Sequence, residues 1–461
     1  MNAGISALTA GLPAGAWTLD AQIIAPHLSE WRDKYFGHTP IMITPRSAEE
    51  TARAVKICAQ YGLKIVPQGG NTGLVGGQTP MGEVLISMRK MNAVRAVSRA
   101  NNSIVIEAGA TLLSLQQAAN QAERKFPLSL ASEGSCTVGG ILSTNAGGVH
   151  VLKYGTTKDL VFGVEAVLAD GSIFNGLTDL RKDNTGYDLS RLFLGAEGTL
   201  GIITAASLKL FPKPKYVQRA MTGLKTPKHA LELLSRCQGP SLSMFEVLPA
   251  IGLNLVTTHI DGQRYPFERP HGWFAVIDWE AQTPAQGTQM AEAALAGALE
   301  AGIIQDAVIA SSSAQAAQLL ALRESMSAGQ KHLGGSIKFD VTVPIADIPA
   351  FLSAADAAVE RCVEGARPVA FGHFGDGNIH YNIGRPEEAD SEAFLARWQE
   401  VSEIVFDIVQ QFGGSISAEH GIGTMKKEDL ARRADPVKLS LLKSIKNALD
   451  PENILNPRVL I

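Results

Sequence analysis

The chain has 461 residues, 45% of them apolar and 19% charged, with a net charge of −4 at pH 7. That length exceeds one ordinary core and predicts two or three domains. The near-neutral charge argues against nucleic acid or an anionic membrane as the main partner.

Four cysteines (Cys58, Cys136, Cys237 and Cys362) stand outside any CxxC pair or disulfide-like spacing. That fits a reducing compartment, and a cytoplasmic location is expected. The N-terminus lacks a basic segment followed by an apolar core, and no uninterrupted apolar run approaches about 18 residues. Neither a signal peptide nor a transmembrane segment is therefore expected.

In chain order, residues 1–36 predict a helical lead-in, with LDAQIIAPHLSEWRDKYF carrying apolar residues at helical spacing. IMITP (41–45) predicts a strand. SAEETARAVKICAQYG (47–62) predicts a helix opened by a Ser47/Glu50 capping box, and KIVP (64–67) a second strand. EVLISM, SIVIEAGA, VFGVEAVLADGSIF and LGIITAASLKLF alternate strand and turn, which makes residues 38–212 a mixed α+β domain. FPKPKY (211–216) marks a boundary. Beyond it, GWFAVIDWE and SIKFDVTVP predict strands, TQMAEAALAGALEAG a helix, and PVAFGHF with NIHYNIG a hairpin. The block from GGSISAEHGIG to NPRVLI differs in character and holds the helix VKLSLLKSIKNALD.

PQGGNTGLVGG (67–77) follows the second strand, but no GxGxxG and no GxxxxGK[ST] occurs in the chain. A plain Rossmann domain or P-loop is thereby disfavoured. Gly69, Gly70, Gly73, Gly76 and Gly77 can still turn several N–H groups toward one anion, a nest suited to pyrophosphate. A plain surface turn is the alternative. Two further clusters, SEGSCTVGGILSTNAGGVHVLKYG (132–155) and LGAEGTLGIITAASLKL (194–210), favour a long ligand held by backbone.

The order GGNTG, SCTVGG…NAGG, EGTLGIIT resembles the FAD-binding domain of vanillyl-alcohol-oxidase-type flavoproteins. The resemblance implies an α+β fold: an FAD-binding domain of two α+β subdomains, plus a cap domain with an antiparallel sheet flanked by helices. It implies cofactor contacts from Pro67, Gln68, Gly69, Gly70, Asn71, Thr72 and Gly73 in the first loop. The second cluster would contribute Ser132, Gly134, Gly139, Gly140, Thr144, Asn145 and Gly147. Glu197, Gly201 and Ile203 would lie by the adenosine half, with Asn456 as a further contact. Members with covalent flavin often carry histidine where this chain has Asn71, so non-covalent FAD is expected.

In FGHFGDGNIHYN (371–382), Asp376-Gly377 is a strong two-residue turn signal. Such a turn sets His373 directly opposite His380, with Cβ atoms about 4.5–5.5 Å apart. Two mirrored imidazoles suit one metal ion; a solvent-facing pair is the alternative. Asn382 shares the strand face of His380 and is a candidate substrate contact. SAEHGIG (417–423) supplies Glu419 as a third ligand and His420 as a candidate base. Two histidines and a carboxylate suit zinc, with manganese or iron as alternatives.

GHFGDGNIH and AEHG behind a flavin domain resemble the D-2-hydroxyglutarate and D-lactate dehydrogenase group, which also contains glycolate oxidase subunits. The resemblance implies an FAD domain over residues 1–215 and a substrate-binding cap over 216–412. A C-terminal segment, 413–461, would complete the active site and pack on the FAD domain. It implies metal ligation by His373, His380 and Glu419, and substrate-carboxylate contacts from Arg323, Ser327 and Lys338.

The expected reaction oxidises a D-2-hydroxy acid, D-2-hydroxyglutarate first, to the 2-oxo acid. His420 would take the hydroxyl proton and the flavin the hydride. Electron-transfer flavoprotein or a quinone would then collect the electrons. D-lactate or glycolate as substrate is one alternative, and a non-catalytic flavin relay subunit is another. The oligomeric state stays open, a homodimer among the options.

Overall fold

The computed structural model describes residues 2–461, which divide into two compact units. The first comprises the chain up to Gly148, Gly155–Lys213 and Glu419–Ile461; the second comprises Val149–Tyr154 and Pro214–Ala418. The crossings thus fall at Lys213–Pro214 and Ala418–Glu419 rather than after residues 215 and 412. The excursion Val149–Tyr154 carries no sequence signal.

In the first unit, β1 (Trp17–Thr18), β2 (Met42–Ile43), β3 (Ile65–Gln68) and β4 (Val84–Ser87) form a sheet of order β1-β2-β4-β3. Both β2 and β3 run parallel to β4, which lies between them. The two strands of the opening β-α-β segment therefore do not pair directly. Its helix, Ala48–Gln60, is capped by Ser47, whose side chain accepts the Glu50 N–H at 3.2 Å. The Glu50 carboxylate reaches back to the N–H of Arg46 instead of Ser47, one residue further than the simple capping box.

Next come β5 (Val94–Ser98), β6 (Ser103–Glu107), β7 (Arg124–Lys125), β8 (Val161–Val167), β9 (Ile173–Asn175), β10 (Ile202–Lys209) and β11 (Phe211–Pro212). Five of them build an antiparallel sheet of order β5-β6-β10-β8-β9, and β7 pairs with β11. Ile43, Val55, Ile65, Ile86, Val167, Ile202 and Leu455 belong to one buried cluster, which joins both sheets, the helix and the C-terminal segment. The lead-in is less helical than its spacing predicts: the α-helical pieces are Ala3–Gly11 and Ala21–Ile24. Pro26 withholds a backbone donor just after the second.

The second unit carries β12 (Tyr216–Leu224), β13 (Leu242–Pro249), β14 (Trp273–Ala281), β15 (Asp306–Ile309), β16 (Ser336–Thr342), β17 (Arg367–His373) and β18 (Asn378–Gly384). They form one seven-stranded sheet of order β15-β12-β14-β13-β17-β18-β16, antiparallel throughout. Phe245, Ile337, Phe339, Val341, Ile379, Tyr381 and Ile383 face one way. There they meet Leu233, Leu295, Phe351 and Val405 from the helices Pro227–Cys237, Pro284–Glu300, Ile348–Cys362 and Trp398–Gln411. The period of two then sends Glu246, Lys338, Asp340, Phe371, His373, His380 and Asn382 to the opposite face.

The β17–β18 register differs from the one that a two-residue turn predicts. His373 pairs with Asn378, and Phe371 pairs with His380, so the turn is Phe374–Gly377. The N–H groups of Asp376 and Gly377 both return to the His373 carbonyl at 3.1 Å. Asp376 Oδ1 accepts the Asn378 N–H at 3.1 Å, and Gly377 takes φ +89°. Phe374, the first residue of the turn, has its ring fully buried in the core. The shift is even, so both histidines stay on one face.

The helix Pro436–Leu449 returns to the first unit and buries Lys446, which donates to Thr199 O, Leu455 O and Asp450 Oδ2 at 2.8, 2.8 and 2.5 Å. Asp450 also accepts the N–H groups of Ile454 and Leu455. Asp450→Ala leaves the buried ammonium on two carbonyls without its counter-charge. The expected cost is about 3–5 kcal/mol, read as a lowered urea midpoint for the transition of the first unit.

Candidate active site

The first unit supplies a cradle made mostly of backbone. Gly70 lies so close to the second loop that a Cβ there would stand 2.0 Å from Ser135 O; one at Gly69 would stand 2.2 Å from Thr137 Oγ1. The two glycines therefore let residues 69–73 and 132–140 touch. Arg89 takes the Gly70 carbonyl at 2.9 Å and the Gly69 carbonyl at 3.4 Å. Among the described residues, no N–H of Gly69–Gly73 donates to a protein acceptor. Asn71 adopts φ +57°, and its Nδ2 donates to Ser29 O at 2.8 Å.

Three buried side-chain oxygens near these loops and the C-terminal segment, Asn71 Oδ1, Thr137 Oγ1 and Asn456 Oδ1, have no hydrogen-bond partner among the described residues. Buried polar atoms are rarely left so. Unpaired N–H groups with orphaned oxygens suit a polyanionic ligand with polar edges, and the residues present therefore fit FAD.

Several expected cofactor contacts have other partners. Gln68 spends its side chain on His27 and on Gln78 O. Pro67 abuts Gly198, and Gly201 abuts Phe193. Ile203 lies buried in β10. Thr144 and Asn145 close the helix Val138–Thr144; Asn145 Oδ1 accepts the Lys158 N–H. Asn456 Nδ2 donates to Gly77 O and Glu197 O. Ser132 O accepts the N–H groups of Ser135 and Cys136, and Gly134 is open, with nothing near its Cβ position. A Cβ at Gly147 would meet Glu419 Oε1 at 2.5 Å, so its bare backbone makes room for that carboxylate.

Glu197 takes a role the sequence did not suggest. Both carboxylate oxygens are consumed, Oε1 by the Ile422 N–H and Oε2 by the Gly423 N–H, each at 2.8 Å. Burial pushes its pKa up, and these N–H groups and Lys426 oppose the rise. Glu197 thus clamps the loop that carries Glu419 and His420.

The second unit gathers a polar face. The His373 and His380 rings stand 5.5 Å apart at 76°. Both histidines meet a buried carboxylate at Nδ1: Glu246 for His373, and Asp340 at 3.8 Å for His380. Asp340 is held in turn by Asn378 Nδ2 at 2.9 Å. Lys338 lies directly across from Asn382, whose Nδ2 donates to Gln330 Oε1.

Arg323 closes the helix Ser313–Glu324, and its guanidinium stacks 4.9 Å over Phe371. Its Nε donates to Glu246 Oε2 at 2.5 Å; its Nη atoms carry no protein hydrogen bond among the described residues. Arg323 is therefore no ordinary surface cation. Ser327, four residues on, is exposed in the short helix Met326–Gly329. Burial pushes the Asp376 carboxyl up to about 6, against the pull of His373.

Sequence reasoning missed Glu246. Burial raises its pKa, but the charges and hydrogen bonds of His373 and Arg323 outweigh that and hold it well below the carboxylate range. The available signal was one acidic residue inside the apolar run SMFEVLP.

The first unit offers a backbone cradle for a long polar cofactor and the second a sheet-borne polar face, and the fold is that of flavoproteins of the vanillyl-alcohol-oxidase type. Over its whole length the chain is similar to solved p-cresol methylhydroxylase, with a TM-score of 0.77, 17% identity, and 99% and 96% of the two chains covered. Residues 39–176 match an FAD binding domain, and residues 213–460 match the C-terminal domain of FAD linked oxidases. The mitochondrial D-2-hydroxyglutarate dehydrogenase of Arabidopsis thaliana is 36% identical over 433 residues, 93% of this chain and 76% of that protein. The Bos taurus enzyme is 35% identical over 442 residues, 95% and 80% of the two. The chain belongs to the FAD-linked oxidase family that contains these D-2-hydroxyglutarate dehydrogenases.

One expectation is overturned here. These relatives are named mitochondrial, so the cytoplasmic location expected from the cysteines does not stand. Among the described residues no helix is long and apolar enough to cross a membrane.

Two variants separate the roles of the first unit's residues. Gly70→Ala drives a methyl group into Ser135 O, and purified protein is expected to lose its flavin absorbance. Glu197→Ala is expected to keep FAD at wild-type stoichiometry while kcat falls on the order of 100-fold, because the released loop displaces Glu419 and His420. Loss of flavin in Glu197→Ala would return that residue to the cofactor site.

Proposed function

We propose that this protein is an FAD- and metal-dependent dehydrogenase that oxidises a D-2-hydroxy acid, D-2-hydroxyglutarate first, to the 2-oxo acid. The observation that carries this reading is the single polar sheet face with two histidines, a cation hydrogen-bonded to protein at Nε alone among the described residues, and Lys338 opposite Asn382. It is supported by relatives named for that substrate at 35–36% identity.

FAD is held non-covalently: Asn71 offers no nucleophile for a flavin bond, and the N–H groups of Gly69–Gly73 suit its pyrophosphate. When bound, the flavin supplies the acceptor for the two electrons of the substrate C–H bond. His373 and His380 hold a divalent ion, zinc or else manganese or iron, with Glu419 as the ligand that AEHG supplies. Such an ion supplies Lewis-acid polarisation of the substrate hydroxyl.

The chain's own residues do the rest. Arg323 Nη groups and Lys338 bind the substrate carboxylate, with Ser327 as a further contact, and a guanidinium fork suits that shape. Asn382 orients the substrate from the neighbouring strand. His420 takes the hydroxyl proton, a task suited to an imidazole near neutral pH. Electron-transfer flavoprotein or a quinone reoxidises the flavin.

Anaerobic mixing with D-2-hydroxyglutarate, D-malate, D-lactate, glycolate and their L-enantiomers tests the reading. Bleaching of the flavin band by D-2-hydroxyglutarate at the lowest concentration is expected. EDTA treatment should abolish the bleaching without releasing flavin, and Zn²⁺ or Mn²⁺ should restore it. No bleaching by any hydroxy acid defeats the dehydrogenase reading; full activity in metal-free protein defeats the metal role.

A further inference from the structure

We propose that Glu246 is a positioning residue of this oxidation: one buried carboxylate that sets both the metal ligand His373 and the substrate cation Arg323. The inference rests on the roles given to those two residues above. Glu246 sits on β13 directly across from His373 on β17 and is fully buried. Its Oε1 meets His373 Nδ1, and its Oε2 meets Arg323 Nε at 2.5 Å.

Both contacts select one arrangement of a group with several. A carboxylate at Nδ1 keeps the proton there and presents Nε2 to an ion, which fixes the tautomer and raises the basicity of the ligand. A carboxylate at Nε turns the Nη edge of the guanidinium away from itself. Phe371 holds the same geometry from the other side, with Arg323 4.9 Å above its ring and His380 5.1 Å from it. One buried side chain thereby orients both groups that would meet a hydroxy acid: the imidazole that would hold the ion and the guanidinium that would bind the carboxylate.

The pairing of His380 with buried Asp340 repeats the device on the second imidazole. Two histidines that each turn Nδ1 to a buried carboxylate are oriented ligands rather than incidental neighbours. A purely structural Glu246 would need no such match.

Glu246→Gln keeps the size but offers one acceptor oxygen and one donor nitrogen, so one of the two contacts becomes donor against donor. Metal-free, FAD-loaded protein is titrated with Zn²⁺, and KM is measured for the preferred hydroxy acid. Zn²⁺ affinity about 10–100-fold weaker than wild type is expected, with KM raised and FAD content unchanged.

Wild-type Zn²⁺ affinity and KM in the variant overturn the inference while leaving the metal reading intact. A variant that merely melts earlier, with unchanged Zn²⁺ affinity, does the same. If wild-type protein itself takes up no stoichiometric Zn²⁺, the underlying reading fails and this inference with it. Should the variant not fold, ¹⁵N-histidine spectra of Zn²⁺-loaded wild type decide. A protonated Nδ1 and a metal-bound Nε2 on His373 support the role; the reverse tautomer overturns it.

Discussion

The alternation of side chains along β13, β17, β18 and β16 is the constraint on which the second unit depends. Phe245, Ile379, Tyr381, Ile383, Ile337, Phe339 and Val341 must share one face to reach the helices. Each lies one residue from a member of the polar set Glu246, Lys338, Asp340, His380 and Asn382. A one-residue slip of β18 would bury His380 in the core and turn Tyr381 outward. The apolar burial that stabilises the sheet therefore also holds the register of the candidate site. Stability and site geometry are here one demand on the sequence.

The first unit solves a different problem. A long polar cofactor is met by N–H groups, so the side chains are removed rather than chosen. Gly69 and Gly70 allow two loops to touch, and Gly147 leaves room for the Glu419 carboxylate. The few side chains that remain do backbone work: Arg89 holds carbonyls of the first loop, and Glu197 holds N–H groups of the AEHGIG loop. Glu197 is buried, and two N–H donors with Lys426 nearby are what let its carboxylate stay there.

What the sequence made legible was local. The strand readings of SIKFDVTVP and NIHYNIG marked β16 and β18, the capping signal marked Ala48–Gln60, and the first two glycine clusters fall within the residues that match an FAD binding domain. What escaped was decided by residues far apart in the chain. The Asp376-Gly377 signal marked the turn but not its length: both residues lie in a four-residue turn whose N–H groups return to the His373 carbonyl. Glu246 and Arg323 are 77 positions apart, and Glu197 and Ile422 are 225 apart, so no local pattern links them. Location failed for another reason: cysteines without a disulfide framework fit reducing surroundings but do not choose among reducing compartments.

The second unit also shows how a structural ion pair differs from one turned to use. Arg219 and Asp278 join β12 to β14 through two parallel bonds of 2.7 and 2.6 Å, and a third bond from Arg219 goes to Ala316 O. That guanidinium is spent within the protein. Glu246 instead divides its two oxygens between different partners, and Arg323, stacked on Phe371, is hydrogen-bonded to protein at Nε alone among the described residues. Apolar residues of similar volume would suit so buried a place at little cost in stability. A carboxylate there makes physical sense for what it imposes on the imidazole and the guanidinium, not for the energy of the pair.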